Sequence, residues 1–267
     1  MDDNNDRTID GLIVCTPTFT HKDIVKEVVS LASGSESCYN GGMFVEKPIG
    51  ETATEIEQTY KLATNAGINL CCGFQRRFDP SYTQVTDIIR NSSNSSNANG
   101  GIGTPLYSNI FFADHPVPPK SFLMTGGNIF MDLAIHDIDF ITYTLGGNND
   151  NNKVVRVYAT GTSSDEELAA VGVHDNATLL MTFSNGTVVT IFMSRSATYG
   201  YDQRCEIFGT KGLISINNIH ETSTVISNTT GIHQSRLQHS FPQRFNVSLF
   251  FVVVGCLISV SASLFLL

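Results

Sequence analysis

Three polar residues interrupt an otherwise apolar segment at residues 129–145. Asp132, His136 and Asp139 stand at positions i, i+4 and i+7, among mostly aliphatic and aromatic neighbours. In an α-helix this spacing places all three on one face, and polar groups on a buried helix need partners or a cavity. A carboxylate one turn from a histidine can fix the imidazole tautomer and raise its basicity. The pattern is typical either of acid–base chemistry or of a satisfied buried hydrogen-bond network.

A lysine follows a short apolar run at residues 42–46, in the sequence Glu46-Lys47-Pro48. In parallel sheets, ligands bind outside the carboxyl ends of the strands, where a lysine can approach a substrate hydroxyl beside a cofactor. Pro48 restricts the backbone and ends the strand. Taken alone, these three residues are equally compatible with a surface turn.

A second polar loop ends the apolar run at residues 11–17. It contains Thr16 and Pro17, and His21 follows four residues later. The loop either lies beside the same crevice as Lys47 or is a simple helix-capping turn with a threonine as the cap.

The elements that must position these residues fall into two groups. In the first group, short strands alternate with amphipathic helices, which indicates βαβ units and a parallel sheet. The predicted strands are 11–17, 42–46 and 68–74, and the predicted helices are 21–33 and 51–66.

Beyond Arg77 the pattern changes to successive strands with few helices, which predicts an open, largely antiparallel sheet covered by a helix. The helices are expected at 80–90 and 129–145, and the strands at 104–113, 154–161, 177–183, 187–194, 203–208 and 212–217. Residues 218–246 are polar and without a clear pattern.

Composition excludes some classes of function. The net charge is −9 and there is no basic run, which argues against nucleic-acid binding. No two of the six cysteines have the C-x-x-C spacing of a zinc or redox site, so we expect buried thiols in a reducing compartment and no metal. The first ten residues lack the apolar region of a signal peptide.

The last part of the sequence has a different character. Residues 247–267 form an uncharged run of 21 residues, and a membrane-spanning helix needs about 20. The run predicts a C-terminal hydrophobic helix that could anchor a cytoplasmic domain to a membrane.

The order of the motifs is more specific than any one of them. From residue 10 to about 217 the chain resembles the Gfo/Idh/MocA family of oxidoreductases. The run Tyr-Gly-Tyr-Asp-Gln-Arg at 199–204 looks most like the inositol 2-dehydrogenase branch. The motifs that carry the resemblance are CTPTFTH at 15–21, VEKP at 45–48, GFQRRFDP at 73–80 and GGNIFMDLAIHDID at 126–139.

This resemblance implies roles for individual residues. Lys47 would contact the reacting hydroxyl and orient the nicotinamide, His136 would be the general base, and Asp132 would hold and tune His136. The hydride acceptor would be NAD, with NADP left open. The other implied residues are Thr16, Pro17, His21, Glu46 and Arg76 on the cofactor side and Tyr199 and Tyr201 on the substrate side. For Arg76 an interdomain salt bridge is an equal alternative.

The sequence departs from the family's pattern at both ends. It contains no G-x-G-x-x-G turn, whose glycines let a backbone approach a pyrophosphate at a helix N-terminus. We therefore expect an incomplete Rossmann-type parallel sheet, without the first βαβ unit, and an α+β domain without the family's C-terminal end. The predicted domains are 1–75 (dinucleotide-binding), 76–220 (substrate and dimerisation), 221–246 (polar linker) and 247–267 (transmembrane helix).

Three hypotheses follow. The chain is an NAD(P)-dependent dehydrogenase of inositol or a related sugar, a catalytically inactive and membrane-tethered protein that binds polyols or acts as a scaffold, or an incomplete gene prediction of a soluble enzyme. The resemblance also implies a homo-oligomer formed through the sheet of the second domain.

Overall fold

The chain folds into two compact units that divide between Phe78 and Asp79. The computed structural model describes residues 9–33, 39–92, 101–125, 128–146, 151–218, 220–229 and 231–236.

The first unit contains a parallel sheet, as the alternating pattern predicts. Its three strands pair in the order β1-β2-β3, and both pairings are parallel. The elements are β1 (Ile9–Val14), α1 (His21–Ala32), β2 (Tyr39–Val45), α2 (Ala53–Asn65) and β3 (Leu70–Cys72).

One hydrophobic cluster holds this unit together. Val14 of β1, Met43 of β2, Val25 of α1 and Ala63 of α2 are all buried in it. Apolar residues of α1 and α2 recur at helical spacing, so each helix turns one apolar face to the cluster. The helix α2 begins at Thr52, whose side chain accepts a hydrogen bond from the Glu55 amide.

The second unit contains a six-stranded mixed sheet in the order β5-β6-β7-β4-β8-β9. The pair β4–β7 is parallel and the other four pairs are antiparallel. The strands are β4 (Pro105–Ala113), β5 (Val154–Thr162), β6 (Asn176–Phe183), β7 (Val188–Ser194), β8 (Asp202–Gly209) and β9 (Leu213–Ile216). The predicted α/β class, with a parallel sheet followed by a largely antiparallel one, is confirmed.

One face of this sheet is buried beneath helices. Along β6, β7 and β8 buried residues alternate with more exposed ones, as expected for strands covered on one side. The buried face joins α3 (Pro80–Ser92) and α5 (Ile135–Gly146) in a single hydrophobic cluster. Tyr82 of α3 and Phe140 of α5 meet edge to face, with ring centres 4.6 Å apart.

The structure adds two local details to the sequence prediction. The helix predicted at 129–145 is present, and its residues 130–134 form a π-helical turn that leads into α5. Part of the predicted polar linker at 221–246 is an antiparallel hairpin of β10 (His220–Asn228) and β11 (Gly231–Arg236). Most residues of these strands are polar, so the hydrophobic alternation that marks a strand is absent.

Two short helices lie in segments for which the sequence indicates no regular element: α4 (Lys120–Thr125) and α6 (Glu166–Ala170). The predicted hydrophobic helix at 247–267 lies outside the described residues. Within the part of the chain that the structure describes, no helix is both long and apolar enough to cross a membrane.

Candidate active site

The loops that carry Thr16 and Lys47 leave the first sheet at the same edge. The strands β1 and β2 are parallel and pair through Val14 and Val45. The Glu46 amide continues the pairing by donating to the Val14 carbonyl at 2.9 Å. Both loops therefore begin at the carboxyl edge of the sheet, which is the edge where α/β folds bind ligands.

His21 connects the two loops. Its Nδ1 lies 2.9 Å from the carbonyl oxygen of Pro48, and its Nε2 lies 2.8 Å from that of Thr16. The side chain is only 1% exposed, because it opens α1 directly beneath both loops. Three predicted site segments are thus brought together, and both ring nitrogens of His21 contact backbone carbonyl oxygens.

Glu46 and a glycine fill the space next to Lys47. The Lys47 amide donates to Oε2 of Glu46 at 3.2 Å. A Cβ atom placed on Gly73, just after β3, would lie 2.9 Å from that oxygen and 3.0 Å from the Phe44 ring. Gly73 is not among the predicted site residues. Only the fold shows that the Glu46 carboxylate occupies the space that a side chain at position 73 would fill.

Cys15 is exposed at the end of β1, beside the same carboxylate. Burial of the sulfur and the charge of Glu46 both raise the pKa of the Cys15 thiol. A thiol with a raised pKa is mostly protonated at neutral pH, so it is a poor nucleophile.

Arg76 lies at the end of the first unit, in a 3-10 turn at Gln75–Phe78, and it is buried. Its neighbour Arg77 is exposed, and the guanidinium of Arg77 lies 6.0 Å from the centre of the Phe74 ring. The two predicted roles of Arg76 stay predictions.

In the second unit, Asp132 forms an ion pair with Arg195, which is not among the predicted site residues. Nη2 of Arg195 lies 2.7 Å from Oδ2 of Asp132, and the side chains are 3% and 22% exposed, respectively. Arg195 directly follows β7. A lone arginine at the carboxyl end of a buried apolar strand is the sequence signal that could have identified it as a site residue.

The π-helical turn determines where Asp132 lies. It begins beside Asn128, whose carbonyl accepts from the Met131 and Asp132 amides at 3.1 Å each, and whose side chain accepts from the Met131 amide at 2.9 Å. Such wide turns are frequent at functional sites. Asp132 leads from this turn into α5, where His136 stands in the first helical turn.

His136 is buried at 8% exposure, and the carboxylates of Asp137 and Asp139 on the same helix are buried as well. Charged groups in such surroundings are retained only with suitable partners. His136 therefore lies in a buried part of α5 that also carries two aspartates, and buried ionisable groups are strongly affected by their neighbours.

The two tyrosines of the predicted substrate pocket lie in different environments. Tyr199 is half exposed, and its hydroxyl donates to Oδ2 of Asp202 at 3.0 Å. Tyr201 is buried in the core, with its ring centre 5.7 Å from that of Phe112. Tyr199 is therefore the better candidate for contact with a substrate.

Asp202 anchors the segment that carries both tyrosines. It accepts hydrogen bonds from Nε of Arg204 at 2.7 Å, from the Asn218 side chain and from Tyr199. Burial raises the pKa of the Asp202 carboxyl, but these three donors outweigh the effect of burial and hold that pKa below its ordinary value.

Comparison with known proteins agrees with this architecture. Residues 97–215 match the model of the GFO/IDH/MocA C-terminal domain. The chain is 32% identical over 244 residues to the myo-inositol 2-dehydrogenase of Thermotoga maritima, which covers 91% of this chain and 67% of that protein. The chain belongs to the Gfo/Idh/MocA family of oxidoreductases.

Other family members are similar over the same region. The scyllo-inositol 2-dehydrogenase (NAD(+)) of Bacillus subtilis is 31% identical, over 83% of this chain and 59% of that protein. The solved structure of a myo-inositol dehydrogenase from Corynebacterium glutamicum has a TM-score of 0.78 and 27% identity, and the match covers 96% of this chain and 72% of that one. The chain spans about two thirds of the length of the curated relatives it matches.

Thr16, Glu46 and Lys47 lie at the carboxyl edge of the first sheet, the edge where α/β folds bind dinucleotides. Within the described part of this unit, neither helix begins at a glycine-rich turn: Pro17 precedes the turn that leads into α1, and Thr52 caps α2. These residues therefore do not form a pyrophosphate cradle.

The described residues contain no cluster of histidine, cysteine, aspartate or glutamate side chains with the geometry of a metal site.

Proposed function

We propose that the chain is an NAD-dependent oxidoreductase that oxidises a CH–OH group of an inositol or a related polyol. The observation that carries this proposal is the 32% identity to a myo-inositol 2-dehydrogenase over 91% of the chain. A second relative bears NAD(+) in its name, which supports the choice of cofactor. NADP remains an alternative that the substrate experiment below also tests.

Each catalytic residue has a separate proposed task. The ammonium group of Lys47 would donate a hydrogen bond to the reacting hydroxyl. His136 would accept the proton of that hydroxyl as general base, because imidazole changes its charge near neutral pH. Asp132 would keep the histidine oriented for this transfer. When bound, NAD supplies the nicotinamide ring that accepts the hydride.

Other residues would hold the cofactor and the substrate. Thr16, Glu46 and Lys47 would bind the nicotinamide end, while Pro17 and His21 would keep the loops in place. Arg76 would contact the cofactor, and the exposed face of Tyr199 would contact the polyol. Tyr201 would support that segment from the core.

Purified full-length protein, mixed with NAD or NADP and with myo-inositol, scyllo-inositol, glucose or xylose, tests the proposal. We expect NADH absorbance to rise with at least one inositol and to rise more slowly with NADP. Absence of turnover with every pair of substrates would refute the dehydrogenase function.

A second candidate is a polyol-binding protein without turnover, and the absence of a G-x-G-x-x-G turn in the sequence favours it. Calorimetric titrations with NAD and with myo-inositol distinguish the two candidates. Binding of inositol without binding of NAD would support the second, and measurable NAD affinity would exclude it.

We also propose that the chain forms a homo-oligomer through the uncovered face of the second sheet. This face carries aromatic residues in contact: the rings of Phe111 and Phe192 are stacked with centres 4.6 Å apart, and Phe208 is half exposed. Exposed apolar patches of this kind mark interaction surfaces. Light scattering should give at least a dimer for the wild type and a smaller species for Phe208→Lys.

For residues 247–267 we propose a membrane anchor of the cytoplasmic units, on the basis of their uncharged sequence alone. Fractionation of cells that express the chain with and without this run is the test. Equal recovery of both forms in the soluble fraction would refute the anchor.

A further inference from the structure

Arg195 is fixed by contacts other than its ion pair with Asp132. Its backbone N–H donates to the Asp175 carbonyl at 2.8 Å, which fixes the chain just after β7. Its guanidinium lies 5.6 Å from the centre of the Phe122 ring in α4. Only 3% of the side chain is exposed. An arginine packed in this way has little freedom to change its position.

Asp132 is the more adaptable member of the ion pair. It lies in a π-helical turn and retains 22% exposure, whereas Arg195 retains 3%. The contact from Nη2 of Arg195 to Oδ2, at 2.7 Å, is a charge-assisted hydrogen bond. This bond favours one orientation of the Asp132 carboxylate.

We propose that Arg195 is a positioning residue that fixes the carboxylate of Asp132 for its work on His136. The kinetic consequence rests on the proposed dehydrogenase function, whereas the position of the carboxylate does not. The competing explanation is an ion pair that merely stabilises the fold. The two explanations differ in whether the effect of Arg195 depends on Asp132.

The experiment uses four variants of the full-length chain: Arg195→Met, Arg195→Lys, Asp132→Asn and the double variant Arg195→Met/Asp132→Asn. Lysine keeps the charge but loses the planar fork of arginine. The double variant removes both charges, so it remains informative if Arg195→Met alone does not fold. Arg90→Met is the matched control, because Arg90 also lies over an aromatic ring of this unit, 3.9 Å from the centre of Tyr143.

The first readout is kcat and KM for inositol oxidation. Displacement of a catalytic group by about 1 Å can reduce a rate about 100-fold, so we expect Arg195→Met to lower kcat to that extent, with little change in KM. Arg195→Lys should recover part of the loss, and Arg90→Met should match the wild type. In the Asp132→Asn background, Arg195→Met should change kcat by no more than about twofold.

The second readout is the crystal structure of Arg195→Met, or of Arg195→Lys if the methionine variant does not fold. Several orientations of the Asp132 carboxylate, or one displaced orientation, would support the proposal. An unchanged carboxylate, or equal losses of kcat from Arg195→Met with and without Asp132, would overturn it. If the wild type turns over no polyol, the proposed function fails, and the position of the carboxylate alone decides the role of Arg195.

Discussion

Replacing His21 with leucine should loosen the loop that carries Lys47. Leucine keeps much of the side-chain volume but removes both ring nitrogens, so the carbonyl that accepts the ring N–H, of Pro48 or of Thr16, loses its donor. The first unit would retain its sheet, because His21 lies outside the buried hydrophobic cluster. The loss of stability should therefore be confined to the loops at the carboxyl edge of the first sheet.

The magnitude follows from the burial of the two acceptors. A buried polar group left without a partner costs about 1–3 kcal/mol. Thr16 is exposed, so its carbonyl regains water at little cost, whereas the Pro48 region is only partly accessible. We therefore expect a loss of about 2 kcal/mol in the free energy of local opening, mostly from Pro48. This corresponds to about a 30-fold change in an equilibrium constant.

Amide hydrogen exchange measured by mass spectrometry gives this quantity for each segment. The peptide that contains the Glu46 amide, which donates to Val14 at 2.9 Å, should exchange about 30-fold faster in His21→Leu. Lys22→Leu is the control, because Lys22 is next in the same helix and its bond to Gln58 is exposed. Less than about threefold acceleration in His21→Leu would show that the histidine does not hold the loop.

Three further predictions concern other parts of the site. Lys47→Ala and His136→Ala should each lower kcat about 100-fold or more while circular dichroism spectra stay unchanged, and loss of folding would favour a structural network. Gly73→Ala should displace Glu46, which lies 2.9 Å from the added Cβ, and destabilise the first unit by about 1–3 kcal/mol, as measured by hydrogen exchange. The folded-state pKa of Asp202 lies below its ordinary value of 3.8. The charged carboxylate therefore stabilises the fold above pH 3.8, and this stabilisation is lost as the pH falls through the folded-state pKa. In Asp202→Asn we expect this part of the acid-induced loss of stability to be absent. Urea unfolding at several pH values measures this difference, and an unchanged acid limb would contradict it.

Local patterns were sufficient to predict most strands and helices. The buried positions of β6, such as Leu179 and Met181, alternate along the chain, and this alternation is visible in the sequence. The hairpin at 220–236 was missed because its strands lack that alternation. The π-helical turn was missed because an extra residue per turn leaves no mark on a segment that is apolar on nearly all sides.

The contacts that define the site were less accessible to sequence reasoning. Arg195 lies far along the chain from Asp132, and nothing near either residue indicates the other. His21 could be placed near the predicted crevice, but its bond to Pro48 depends on how β1 and β2 pair. Gly73 matters because of the side chain of Glu46, which belongs to the neighbouring strand. Such pairings are properties of the sheet and are not encoded in any single segment.

The parallel pairing of β4 with β7 determines which end of the second sheet carries the loops whose sequence can vary. Because β4 and β7 run in the same direction, Ala113 and Ser194 emerge side by side, and the antiparallel neighbours place Asn176 and Asp202 in the same row. The opposite rim carries tight turns, such as the one at Gly186, whose φ is 89°. Tags, fluorophores or short inserted peptides placed at the turn of Gly186 should leave the loops that follow Ala113 and Ser194 undisturbed. Variation of polyol preference among relatives should in turn be concentrated in the loops that follow Ala113 and Ser194.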